Sequence, residues 1–247
     1  MTVKRVYDLP TRVFHWLFAG CFLIAFAIAN IVDDDVVGFS YHMIAGIVMV
    51  FAVIWRMVWG VIGSPHARFT DFSLRPAELV NYLKSALTDK TRFWSGHNPA
   101  SSWAALIMML LALSLGITGY LMISSPVGES LEEVHEVLAN SFIIIVLLHI
   151  AGVVIHTVKH QDPIGKSMIH GCKKHVPDSE LPVNSHTSIG LVMLVLNLSF
   201  GVYLLGNYNP DRQTLSIAGS TLHLTEFDEV EDTHKSAHDD DHDKDDD

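Results

Sequence analysis

This chain is short of charge. Of its 247 residues only 17% are charged, against 49% hydrophobic, and the mean hydropathy is +0.31. So little charge excludes an ordinary soluble domain and calls for several membrane spans. Cysteine is scarce too. Cys21 sits in an apolar run and Cys172 in a basic loop, so no mutual disulfide is expected. The absence of C-x-x-C-H excludes a covalently attached c-type haem. No internal repeat is evident. The net charge of −11 offers nothing to a nucleic acid, and no such partner is expected. That charge is unevenly placed: 13 of the 27 acidic residues but only 3 of the 16 basic ones lie beyond Pro210.

What the chain does have is long apolar runs. Five reach the ~20 residues that a bilayer demands: Val13–Val32, Phe39–Ile62, Trp103–Ile123, Val134–Val158 and Thr187–Gly206. Helices are expected, because backbone polar groups in lipid must be satisfied within the segment. The first run, preceded by Lys4, Arg5 and Arg12 and ending in Ala27-Ile28-Ala29, has the outline of a signal peptide. Its length favours a retained span. The loops alternate in charge. Basic residues fill the N-terminus, the second loop (Arg68, Arg75, Lys84, Lys90, Arg92) and the fourth (Lys159, Lys166, Lys173, Lys174). The first loop (Asp33, Asp34, Asp35) and third (Glu129, Glu132, Glu133) carry only acid. This pattern places the N-terminus in the cytoplasm and the C-terminal tail outside. In the second loop, Leu79, Val80, Leu83 and Leu87 recur at helical spacing after Pro76, predicting a short amphipathic helix on the inner surface.

The spans carry histidines at paired depths. His135 and His149 lie 14 residues apart in the fourth span, within roughly 40° of one face and about 21 Å apart along the axis. His42 starts the second span at the outer side, and His15 lies at the inner end of the first. The third span has none. Intramembrane ionisable residues are functional candidates by default. Two pairs follow, His42 with His135 outside and His15 with His149 inside, each bridging two helices as bundle sites do. Imidazole from both sides can hold a haem iron with no open position. Ala19, Gly46 and Ala139 lie one turn beyond three of these residues, and Gly152 lies three after His149, leaving room for a macrocycle edge. Arg56 follows His42 by 14 residues on the same face, placed either to meet a propionate of the inner group or to snorkel to headgroups. His156 shares the face of His149. His149 is preferred because it brings the two centres closer, which leaves His156 and His160 at the inner surface. His66, His97, His170, His175 and His186 read as solvated or loop-structuring. In the tail, His234, His238 and His242 recur every four residues among aspartates. An acidic disordered tract is expected there, one that attracts a basic partner, rather than a metal trap.

Several stretches resemble the bacterial cytochrome b561 and nickel–iron hydrogenase cytochrome b family. They are YDLPTRVFHW, YHMIAG, WRMVWGVIGSPHARFTDF, GHNP and HEVLAN followed by LLHIAGV, in the family's order over about residues 5–175. The resemblance implies a four-helix cytochrome with two non-covalent b-type haems on opposite membrane sides, ligated by His42 with His135 and His15 with His149. It also implies electron exchange between membrane quinone and a partner subunit or an external soluble c-type cytochrome.

The expectation is therefore an all-α integral membrane protein of the bacterial cytoplasmic membrane. Residues 1–175 form a four-helix haem-binding bundle, 176–210 a loop and fifth transmembrane helix, and 211–247 a disordered acidic tail. The expected role is electron transfer between the quinone pool and an external redox partner, with Glu133, Glu136 or Asp71 as candidate proton acceptors. The alternatives are an anchor subunit of a hydrogenase-like or dehydrogenase complex, and a His-based metal or proton transporter. The spans show none of the paired interruptions that transporters favour.

Overall fold

Polar caps set where two of the long helices begin. In a computed structural model, describing residues 2–32, 37–87, 94–125, 129–160 and 163–224, strand β1 (Thr2–Arg5) leads into helix α1 (Leu9–Ile31). Asp8 caps α1, its Oδ1 accepting from the Thr11 amide at 2.9 Å, and Pro10 occupies the first turn. Helix α2 (Ser40–Ile62) returns, and α3 (Pro76–Leu87) is the amphipathic helix expected after Pro76. Asn98 caps α4 (Pro99–Ser124) in the same way, accepting from the Ser101 amide at 2.8 Å. Helix α5 (Glu129–His160) follows, then the one-turn α6 (Ser167–His170), β2 (Cys172–Val176) and α7 (Thr187–Gly206). Strands β3 (Tyr208–Asn209), β4 (Thr214–Ile217) and β5 (Ser220–His223) end the described chain.

Among the described residues five helices are long and apolar enough to cross a membrane, and the chain is a multi-pass membrane protein. Within the bundle α1 packs on α2, α2 on α4 and α4 on α5. Helix α5 makes its dense contacts with α4 and leaves most of its remaining surface open. The fifth span is no appendage: α7 packs against both α1 and α2. Gly190 lets it close on Leu9, where even a methyl group would clash at 2.6 Å.

Short sheets close the two ends. At the N-terminal end β1 pairs antiparallel with β2. Lys4 Nζ donates to the carbonyls of Pro177, Asp178 and Glu180, and the Leu9 amide donates to Ser185 at 2.8 Å. Gly171, at φ +80, closes α6, and its carbonyl accepts from the amides of Val6 and Tyr7. At the far end β3, β4 and β5 form an antiparallel meander. Leu215 and Leu224 are buried there against Ile44 and Leu204. This corrects the expectation that residues 211–247 are one disordered tail. Alternating apolar side chains in 214–224 have a helix end to pack on, so residues 211–224 are folded. Residues 225–247, with His234, His238 and His242, lie outside the described residues.

Candidate functional site

The four predicted histidines gather into two groups at opposite ends of the bundle. At the far end His42 of α2 faces His135 of α5, with ring centroids 6.4 Å apart and planes inclined at 66°. Both rings are aimed by their Nδ1 atoms. His42 Nδ1–H donates to the Ala25 carbonyl at 2.8 Å; a carbonyl carries no proton, so Nε2 keeps the lone pair. Nδ1 of His135 lies 2.8 Å from Thr118 Oγ1 on α4. The Thr118 hydroxyl also reaches the Ser114 carbonyl at 3.0 Å; when it donates there, its oxygen accepts from His135 and leaves Nε2 free. Fixing one ring nitrogen to present the other is how proteins orient metal-binding imidazoles.

The spacing suits a shared metal. Two imidazoles each bound through one nitrogen at ~2 Å, the usual His–metal distance, stand about 6 Å apart at their centroids. Gly46, one turn beyond His42, has open space where its side chain would be: a methyl group there meets no atom within 4 Å. The donor set and the room beside it fit a group held between two neutral imidazoles.

At the N-terminal end His15 of α1 is half-buried against Trp16, their ring centroids 5.1 Å apart. Its Nδ1 is sealed from solvent and has no hydrogen-bond partner. His149 of α5 lies within electrostatic range of it. Gly152, three residues after His149, also borders open space. His156 is half-buried on α5, and the side chains of His160 and His175 lie outside the described residues. Between the two ends stands Phe142, seven residues from each α5 histidine and 2% exposed. It packs on Phe18 and Phe22 at 5.7 and 4.8 Å between centroids.

Arg56 does not snorkel. It is 3% exposed, inside the protein. Its Nη2 donates to the Ala67 carbonyl at 2.8 Å, and the rings of Phe14, Phe69 and Phe72 surround its Cζ at 5.9, 5.0 and 5.8 Å. Asp71 is occupied within its own loop, accepting from the His66 amide and Arg68 Nε. Glu133 and Glu136 are exposed at the far end.

Sequence reasoning missed three parts of this arrangement. Thr118 lies in the span without histidines, and its one signal was a polar residue at the depth of His135. Asp8 is wholly buried. Its Oδ2 accepts from Trp59 Nε1 at 2.9 Å and from the Ser64 hydroxyl, tying the start of α1 to the end of α2. His97 is not solvated. Its ring lies 5.3 Å from that of Tyr7 and 4.9 Å from that of Phe72, with Nδ1 sealed. His170 Nδ1 accepts from the Cys172 amide, and His186 lies against Trp59.

A probable Ni/Fe-hydrogenase B-type cytochrome subunit of Rhodobacter capsulatus is 24% identical over 212 aligned residues, covering 69% of this chain and 81% of that protein. No solved structure matches the chain. The family described as prokaryotic cytochrome b561 matches residues 6–171. With more than half the chain inside that match, spanning all four histidines and both helix-start caps, this protein belongs to the prokaryotic cytochrome b561 family: membrane cytochromes b that bind b-type haem and transfer electrons.

Proposed function

We propose that this protein is a dihaem cytochrome b that carries electrons across the bacterial cytoplasmic membrane between the quinone pool and an external redox partner. His42 with His135 would hold one haem and His15 with His149 the other. The observation that carries this reading is the far-end pair, two imidazoles 6.4 Å apart, one with Nδ1 bound to a carbonyl and the other to a hydroxyl. Each haem, when bound, supplies a one-electron couple at an iron closed to other ligands. The chain does the rest. Ala25 and Thr118 fix the ring orientations, and Phe18, Phe22 and Phe142 exclude water between the two sites. Arg56 offers a cation to a propionate. His149, within electrostatic range of His15, is preferred to His156 because a 14-residue interval from His135 brings the two haems closer.

Loop charge supports a cytoplasmic N-terminal end and an external far end. Quinone turnover needs a proton acceptor near a haem edge, and exposed Glu133 and Glu136 suit that role better than Asp71, which is engaged. The acidic residues beyond Pro210 favour a basic external partner such as a c-type cytochrome. A second reading, as the membrane subunit of an enzyme complex, is favoured by the hydrogenase-subunit relative.

The deciding measurement is a reduced-minus-oxidised spectrum of the purified protein with its haem-to-protein ratio. Two low-spin b-type haems per chain are expected, and absence of that spectrum sinks the proposal. Separate His149→Ala and His156→Ala variants decide the inner ligand, because only the first should lose a haem. A smaller effect is expected from Thr118→Val, which keeps the shape and removes the acceptor for His135. Second-layer losses of this kind cost about 10–100-fold in metal-site affinity. One haem should then dissociate faster on dilution into a haem-scavenging apoprotein while the other is unchanged.

A further inference from the structure

We propose that Arg56 and His97 form a carboxylate-binding site at the N-terminal end of the bundle, and that it takes a propionate of the haem held by His15 and His149. This rests on the functional reading above and adds a residue, His97, that neither the histidine pairing nor the family likeness assigns.

Arg56 is a cation with one arm unused. Nη2 is engaged by Ala67, and three phenyl rings face the guanidinium, but Nη1 is sealed from solvent with no acceptor. Aromatic faces soften a buried charge and do not replace an acceptor for its N–H groups, so an empty arm is costly. The nearest buried acid, Asp8, has its oxygens committed to Thr11, Trp59 and Ser64.

His97 reaches the same place from the loop before α4. It packs on Phe72, which is also a wall of the Arg56 cage, and its Nδ1 is likewise sealed and unpartnered. The charged or titratable groups acting on it are Lys173 of β2, Arg56 of α2 and His66 of the loop after α2. Lys173 Nζ is anchored on the Gly96 carbonyl at 2.7 Å. Burial, and then Lys173, Arg56 and His66, push His97 down to about 3 against a hydrogen bond to the His66 backbone, so the imidazole is neutral at pH 7. This end of the bundle thus holds two buried nitrogens without partners, on Arg56 and the neutral His97, while its carboxylates Asp8, Asp71 and Glu180 are engaged elsewhere. What it lacks is an anion with oxygen acceptors.

The occupant must already be inside the protein, because Arg56 is 3% exposed. That favours a carboxylate carried in by a buried group over a lipid phosphate. Phe14, a third wall of the cage, immediately precedes His15, so the site adjoins the proposed ligand. A carboxylate beside Nδ1 would also favour the imidazolium form of His97. Electron uptake by the adjacent haem would then be accompanied by a proton at this ring.

The test is redox titration of the purified cytochrome across pH, for wild type, His97→Leu and His97→Gln. The inner haem is assigned as the one lost in His149→Ala. In His97→Leu its midpoint should fall and its pH dependence should flatten, while the other haem keeps both. In His97→Gln, which still donates a hydrogen bond but cannot titrate, the midpoint should recover in part and the pH dependence should stay flat. Unchanged midpoints and slopes in both variants, or equal shifts of both haems, would overturn the site. A wild-type inner midpoint that follows phospholipid content in delipidated and relipidated samples would assign the site to a headgroup and overturn the propionate. Wild-type protein without a b-type spectrum fails the functional reading itself. Two normal haems unmoved by the variants fail this inference alone.

Discussion

Replacing His135 by alanine is expected to remove one haem per chain and leave the other. His135 and His42 reach one point from different helices, and each is oriented by its own oxygen partner. Losing either imidazole leaves a metal between them with one protein ligand. His42→Ala should therefore lose the same haem, and the double variant should lose no more than either single one, because residues acting as a unit are not additive. The partner set is independent. It lies beyond Phe142 at the other end, so the remaining haem should keep its midpoint and band position. Haem content by pyridine haemochrome, together with redox titration, reads both outcomes. Loss of both haems in His135→Ala with the protein still folded would show that the two sites are not separate.

The second large effect is structural. Asp8→Ala should lower the apparent thermal unfolding midpoint in detergent by roughly 10 °C, on the scale of about 2–4 °C per kcal/mol for a chain of this size. Asp8 is 0% exposed and receives the Thr11 amide, Trp59 Nε1 and the Ser64 hydroxyl. Alanine strands all three donors, two of them in a buried join between α1 and α2, where hydrogen bonds to a charged group contribute about 1.5–3 kcal/mol each. Asp8→Asn keeps a carbonyl for the cap but turns an NH₂ toward another donor, so it should fall between wild type and alanine. An alanine variant melting with wild type would show that the join carries no stability.

Much of this architecture is legible from apolar spacing. The five spans come within a few residues because hydropathy reports lipid exposure directly. Helices α1 and α4 begin four residues earlier than their apolar runs, because Asp8 and Asn98 start them with polar first turns. The α3 helix was readable for the same periodic reason. The strands were not: β1 meets β2 across some 170 residues, and no local pattern encodes a partner that distant. The β3–β5 meander was hidden by its polar neighbours, which make residues 208–224 resemble the tail that follows. Among site residues, the histidines were legible because ionisable groups in an apolar run stand out. The burial of His97 and Arg56 was not legible because it depends on what the loops bring over them, and the role of Thr118 was not because a lone hydroxyl in a helix carries little signal.

The pairing of β1 with β2 sets an order of events during synthesis. The Leu9 amide waits for Ser185, the Val6 and Tyr7 amides wait for Gly171, and α1 packs on a helix that begins at Thr187. Helix α1 thus leaves the ribosome before α7 but is fully seated only after it. Until α7 emerges, α1 lacks one of the helices it packs on. Long-range closures of this kind are slow and leave the partial chain exposed. Haem would therefore be accepted first at the far end, where His42 and His135 are both in place once α5 is made, and only afterwards at the end where the chain began.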